Sequence, residues 1–165
     1  MSARIAWASG MQGDALFREH GRQVAALCWR VKADSTLEVL LITSRSRKRW
    51  IMPKGWLEPD MTPADNAARE AFEEAGVTGK VKAEPIGSYH YLKEKKDGGG
   101  VPCQVDVFAL AVSGQLEDWP EKNLRSYAWL PVDQAVSVVA EPGLRQILKD
   151  FRKRHAPVKA RRITA

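Results

Sequence analysis

The sequence predicts an α/β fold in which a mixed β-sheet lies between helices. Three observations carry this expectation. Short apolar runs flanked by polar residues alternate with longer segments of helical period. The segment from Thr62 to Gly76 carries both the start and the stop signals of a helix. No repeat or long linker divides the 165 residues, a length usual for one domain.

Residues 1–21 show no clear period and are expected to form an N-terminal arm. The folded domain is expected over 22–155, with a basic tail at 156–165. Val24–Trp29 and Val39–Thr43 are short and apolar and read as buried strands. Trp50–Met52 is a shorter strand, ended by Pro53. A helix follows: Thr62 is a good N-cap, Pro63 suits the first turn, and Asp65 favours the positive helix start. Gly76 supplies its stop. Ile86–Leu92 and Val105–Val112 read as two strands joined by a Lys/Gly-rich loop at 93–100. Tyr127–Leu130 is a further strand, and Val132–Ala140 and Gly143–His155 are helices. The last of these places Leu144, Ile147, Leu148 and Phe151 at helical spacing.

Composition narrows the function classes. Hydrophobic residues at 44% and charged residues at 28% are an ordinary globular balance, which argues against a disordered chain. No apolar run approaches the roughly 20 residues needed to cross a bilayer, so no membrane partner is expected. Residues 1–21 lack the basic, apolar and small-residue pattern of a secretory signal, and a cytoplasmic location is the expectation. Cys28 and Cys103 are then expected to be reduced and structural. His20, His90 and His155 are too far apart in sequence to suggest a zinc site. The net charge of +6 favours anionic partners. Residues 44–57 concentrate five basic residues and no acidic one, and 149–162 form a second concentration.

The chemistry is concentrated on the helix after Thr62. At 100° per residue, Ala64, Ala68, Ala71, Phe72 and Ala75 share one face, while Glu70, Glu73 and Glu74 gather on the other with Asn66. Arg69 stands at the flank. Like charges at these spacings each cost roughly 0.2–0.5 kcal/mol, and carboxylates in the last turn oppose the helix dipole. A divalent cation offsets both penalties, and carboxylate oxygens suit Mg²⁺ or Mn²⁺. Taken alone, such a cluster is more often a solvated acidic face. Its neighbours change that reading.

Gly55 is followed at fixed spacing by Arg69, Glu70, Ala71, Phe72, Glu73, Glu74, Ala75, Gly76 and Val77. This resembles the Nudix hydrolase signature G-x5-E-x7-R-E-U-x-E-E-x-G-U, where U is a bulky aliphatic residue. Two positions depart from it: Met61 stands where the first glutamate is usual, and Ala71 is smaller than the usual aliphatic residue. The stretch from Arg49 to Pro59, the segment Leu116–Asn123 and Tyr127–Leu130 look like the branch acting on diphosphoinositol and diadenosine polyphosphates. The resemblance covers about residues 22–148 and implies an α/β/α sandwich.

It further implies that Glu70 and Glu74 bind the metal, aided by the Lys54 main-chain carbonyl. Glu73 would be a metal ligand or the general base, and Arg69 would orient the glutamates. Arg69 lacks the usual first glutamate as an ionic partner, and Glu58 or Asp60 could substitute for it. Arg22, Ser44, Arg45, Arg49, Lys54 and Arg125 are the implied substrate contacts, with Lys95 and Lys96 as alternatives on a loop. His90 is a lone histidine, more often a packed or surface residue. Trp50, Trp56 and Trp129 are candidate stacking platforms, core packing being the better reading for Trp129.

The expected activity is Mg²⁺-dependent hydrolysis of a pyrophosphate bond in a small, phosphate-rich substrate, by a monomer or homodimer. Diadenosine polyphosphate, diphosphoinositol polyphosphate and inorganic polyphosphate are all compatible. Removal of pyrophosphate from an RNA 5′ end is an alternative, and the only nucleic-acid role expected. A nucleotide-binding module without turnover is the competing class, motivated by Met61.

Overall fold

Successive residues of a strand point to opposite faces, so one apolar run can feed two cores. Strand β1 (Arg22–Val31) does this: Ala25 and Leu27 enter one core, while Val24, Ala26 and Cys28 enter the other. The computed structural model describes residues 21–155; the expected arm apart from Gly21, His20 and the basic tail at 156–165 lie outside the described residues.

Among the described residues the sheet has eight strands. After β1 come β2 (Leu37–Thr43), β3 (Trp50–Ile51) and β4 (Lys54–Trp56). Then follow helix α1 (Pro63–Ala75), β5 (Val77–Val81), β6 (Gly87–Glu94) and β7 (Gly100–Gln115). Strand β8 (Tyr127–Pro131) leads into helices α2 (Val132–Val138) and α3 (Pro142–Arg154). The main order is β3-β2-β1-β7-β5, with β4 on β1, β6 on β7 and β8 on β2. The β1–β7 pair is parallel and the other pairs are antiparallel, so the sheet is mixed as expected.

Helices cover both faces. Leu144, Leu148 and Phe151 of α3 and Val132 and Ala135 of α2 close one core over Leu41, Val105 and Val107. On the other face Ala64, Ala67, Ala71 and Ala75 of α1 press on Leu40, Ile42, Phe108 and Leu110. Small side chains let α1 lie close to the sheet. The architecture is the expected α/β/α sandwich.

Several expectations need correction. Strands β4 and β5 were not foreseen: Lys54–Trp56 and Val77–Val81 hold few apolar residues, and pairing with β1 and β7 makes them strands. Strand β7 is twice the length expected, and the loop before it shrinks to residues 95–99. Phe72, assigned to the core face of α1, is 38% exposed, and Ala67 is buried in its stead. The buried arc of the helix is rolled toward its acidic side, taking in Asn66 and Glu74. Asn66 explains part of this roll, since its side-chain Oδ1 accepts the Glu58 N–H at 2.7 Å and ties the preceding loop to the helix.

Candidate active site

The ends of α1 are set as the sequence implies. Thr62 Oγ1 accepts the Asp65 N–H at 3.1 Å, and Gly76 adopts φ 68° at the C-cap. The Gly76 N–H donates to the Phe72 carbonyl at 2.9 Å. A Cβ on Gly76 would stand 2.2 Å from the Trp119 ring, so this residue also admits the loop that crosses the helix end. That loop is fastened by the Glu121 N–H donating to the Glu73 carbonyl (2.9 Å) and the Leu116 N–H donating to the Gly76 carbonyl (2.8 Å).

A cleft of about 470 Å³ opens beside the acidic side of α1. Its lining includes Glu70 and Glu74, Lys54 and Trp56 of β4, Tyr91 and Lys93 of β6, and Arg125. Ser44, Arg45, Arg47 and Arg49 contribute from the β2–β3 turn, where Ser44 Oγ accepts the Arg49 N–H at 3.0 Å. The expected residues Ser44, Arg45, Arg49, Lys54, Glu70, Glu74 and Arg125 are therefore brought to one cavity.

Gly55 has a physical role here: a Cβ at that position would lie 2.3 Å from Glu70 Oε1. The bare backbone lets the Glu70 carboxylate rest against β4. Glu74 is buried, with its Oε2 accepting the Lys54 main-chain N–H at 2.9 Å. Its Oε1 accepts from Arg125 Nη2 at 3.2 Å. The same Arg125 atom donates to Glu121 Oε1 at 3.0 Å, and Nη1 donates to the Thr43 carbonyl at 3.2 Å. With its side chain only 7% exposed, Arg125 acts here as the internal counter-ion of Glu74 and Glu121.

Burial, the nearby Glu73 charge and further carboxylates push the Glu70 carboxyl up to about 7, although Arg69 opposes the change. Burial pushes Glu74 up to about 8 despite Arg125, with Glu70 adding to the rise. Burial and the neighbouring Lys93 charge bring the Lys54 ammonium down to about 8.

Other expected residues are placed differently. Arg22 does not line the cleft; its Nη2 pairs with Asp106 Oδ2 at 3.0 Å. Arg69 and Glu73 also stand outside it, 3.8 Å apart as an i,i+4 pair, so Arg69 takes its ionic partner from its own helix. Lys95, Lys96 and His90 are not part of the lining. Trp129 is packed: its indole N–H donates to Gln115 Oε1 at 3.2 Å, and the Arg30 guanidinium covers its ring at 3.9 Å. Cys28 and Cys103 are free, buried thiols. Sequence reasoning missed Gln23, Tyr91, Lys93 and Glu121. The acidic loop Leu116–Asn123 offered a signal for Glu121, but the others become visible only once β4 and β6 are placed.

Among the described residues, no group of three or more His, Cys, Asp or Glu side chains is close enough to hold a metal ion alone. Glu70 and Glu74 nevertheless suit Mg²⁺ chemically, because burial disfavours both charges and neighbouring carboxylates add to that cost beyond what Arg69 and Arg125 offset. Mg²⁺ commonly takes one or two carboxylates and completes its shell with water and substrate phosphate.

Comparison with known proteins adds independent findings. A family model described as NUDIX domain matches residues 21–151. "Nudix hydrolase 12, mitochondrial" of Arabidopsis thaliana is 38% identical over 120 residues, covering 70% of this chain and 58% of that protein. "Diphosphoinositol polyphosphate phosphohydrolase 3-beta" of Bos taurus is 36% identical over 121 residues, 72% of this chain and 68% of that one. The chain spans 54% to 66% of the length of four Arabidopsis relatives. A Caenorhabditis elegans Ap4A hydrolase complex superposes with a TM-score of 0.61 at 20% identity, over 81% of this chain and 96% of that one. The NUDIX domain of Shewanella oneidensis NrtR with ADP ribose gives 0.62 at 17% identity, over 93% and 98%. At those identities the two structures bear on the fold alone.

Proposed function

The chain belongs to the NUDIX family, and from that premise we propose that it hydrolyses a phosphoanhydride bond in a polyphosphorylated small molecule, using Mg²⁺, with Mn²⁺ as a substitute. The observation that carries this reading is one cleft pairing the buried Glu74 and half-buried Glu70 carboxylates with a rim of arginines and lysines. Bound there, the metal would neutralise developing phosphate charge and lower the pKa of an attacking water.

The protein's own residues supply placement. Glu70 and Glu74 would hold the ion, with the Lys54 main chain beside Glu74. Glu73, outside the lining, would approach the water only after its contact with Arg69 is released. Arg45 and Arg49 present guanidinium forks suited to two-point phosphate contacts. Arg125 would turn toward substrate once a cation takes over the Glu74 charge.

Diphosphoinositol and diadenosine polyphosphates are the favoured substrates, since the basic rim suits more phosphate than a nucleoside diphosphate sugar carries. An RNA 5′-triphosphate end is the alternative. The test is incubation with Mg²⁺ and a panel: diadenosine hexaphosphate, a diphosphoinositol polyphosphate, ADP-ribose, a nucleoside triphosphate and 5′-triphosphate RNA. Products are separated by ion exchange. Metal-dependent cleavage lost in Glu74→Gln is expected. Tight binding without cleavage under Mg²⁺ and Mn²⁺ would instead make the chain a binding module.

A further inference from the structure

Two lysines of the cleft have no ion pair among the described residues. Among the described residues the arginines at 22, 47 and 125 are each held by a carboxylate. Lys54 and Lys93 are held by aromatic rings. Lys54 Nζ lies 4.7 Å from the Tyr91 ring centroid and donates to its hydroxyl at 3.1 Å. Lys93 Nζ lies 4.6 Å from the Trp56 ring centroid. The Tyr91 hydroxyl in turn donates to Gln23 Oε1 at 2.6 Å, and Gln23 is 2% exposed. The first ammonium is therefore anchored to β1 through a fixed hydrogen-bond chain.

Topology creates this arrangement. Strands β4 and β6 flank the β1–β7 pair and both run antiparallel to it, so they are parallel to each other. Lys54 and Trp56 are two apart on β4, and Tyr91 and Lys93 are two apart on β6, so each pair shares a face. The lysine of each strand meets the aromatic ring of the other. The result is two crossed lysine–ring contacts over the cleft floor.

The arrangement is electrostatically incomplete. A ring face attracts an ammonium but carries no net charge. The Lys93 charge acts unfavourably on Lys54. Glu74 lies near enough to favour the Lys54 charge, yet it spends its oxygens on the Lys54 main chain and Arg125. An anion that bridges two ammonium groups relieves their repulsion, and a phosphate has oxygens for both.

We infer that Lys54 and Lys93 form a two-ammonium subsite for a phosphate beyond those engaged at Glu70 and Glu74, with Lys93 setting a preference for longer phosphate chains. This rests on reading the cleft as a polyphosphate site. Lys54 adjoins the carboxylates through its main chain and meets Tyr91 through its ammonium, and Lys93 stands two strand residues beyond Tyr91, roughly 7 Å of chain. A diphosphate fills the carboxylate end; a third phosphate reaches Lys93.

Calorimetric titration of the Ca²⁺-loaded protein, Ca²⁺ taking the same oxygen ligands at Glu70 and Glu74, with inorganic tripolyphosphate and with pyrophosphate tests this by binding and not by turnover. Lys93→Met should weaken tripolyphosphate binding about tenfold, the effect of losing one charge-assisted contact, and leave pyrophosphate nearly unchanged. Lys93→Arg should restore it, and thermal melts of the variants separate binding from folding. Should Lys93→Met unfold the strand pairing, Lys93→Gln and Lys93→Arg still decide, because affinity must follow charge and not melting temperature. Equal tripolyphosphate affinity in wild type and Lys93→Met, or no binding by wild type, overturns the subsite. Charge-dependent binding by a protein that hydrolyses nothing with metal supports the subsite and overturns the proposed hydrolase.

Discussion

In the metal-free protein, replacing Glu74 by glutamine should stabilise the fold. The carboxyl is raised from 4.5 to about 8, mainly because burial disfavours its charge. Its folded value lies above its unfolded value, so the native state holds a proton more tightly than the unfolded chain. Stability contributed by that proton is complete below pH 4.5 and is lost as pH rises to about 8. Converted directly, the difference is at most about 5 kcal/mol. Relaxation and water entry around a buried charge reduce such penalties, and about 2 kcal/mol is the working figure. Glutamine mimics the neutral acid and still accepts the Lys54 N–H, while Arg125 keeps Glu121 and the Thr43 carbonyl. For a domain of this size the gain is about 6 °C in Tm at pH 8, shrinking to nothing near pH 4.5. The assay is thermal melting in EDTA from pH 4.5 to 9, repeated with Mg²⁺. Excess Mg²⁺ should raise the wild-type Tm by neutralising the site and move the variant much less. A variant less stable than wild type at pH 8 in EDTA, or one with the full Mg²⁺ response, refutes the reasoning.

Gly55→Ala forces the Glu70 carboxylate off β4 and should weaken Mn²⁺ binding severalfold, with a stability loss of about 1–3 kcal/mol measurable by urea titration. Gly76→Ala combines a left-handed backbone with a clash against Trp119 and should cost about 2 kcal/mol or more, read from the same titration. Thr62→Ala removes the α1 cap and should cost about 1 kcal/mol. Burial, assisted by the Glu74 charge, pushes the Cys28 thiol up. It should resist iodoacetamide in the native protein at pH 8 and react promptly in denaturant, as followed by mass spectrometry.

The sequence reveals the features that local rules govern. The cap at Thr62, the stop at Gly76 and the alanine stripe of α1 are set within a few residues of one another. The buried strands β1 and β2 each carry an unbroken apolar run, Val24–Trp29 and Val39–Ile42, and stand out for that reason. Strand β4 does not, because Lys-Gly-Trp has no strand pattern and is extended only by its register against Gln23–Ala25. The carboxylate helix was legible, but its roll was not: the helical wheel treats Phe72 and Ala67 as near-equal flanks, and the loop held by Asn66 decides between them. Motif spacing led to Glu70 and Glu74, whereas Tyr91, Lys93 and Glu121 join the cleft through long-range pairing that no local window contains. Arg22 shows the converse limit, since Asp106 is remote in sequence and adjacent across the β1–β7 ladder.

That ladder also imposes an order in time. Arg22 pairs with Gln104 and Trp29 with Ala111, so the centre of the sheet joins segments about 80 residues apart. During synthesis at about 5–20 residues per second, β1 has no β7 to pair with for roughly 4–16 s. Through that interval its apolar edge can recruit only nearby segments, beginning with β2. Sequence-distant pairings of this kind slow folding, because loop closure comes before its reward. Helix α1, with its glutamates, is made in the meantime and has no complete cleft to face. Tyr91 and Lys93 enter on β6, and β6 hangs from β7. The cleft is among the last parts of the molecule to come into existence, and a chaperone acting on this chain would meet it before that cleft is built.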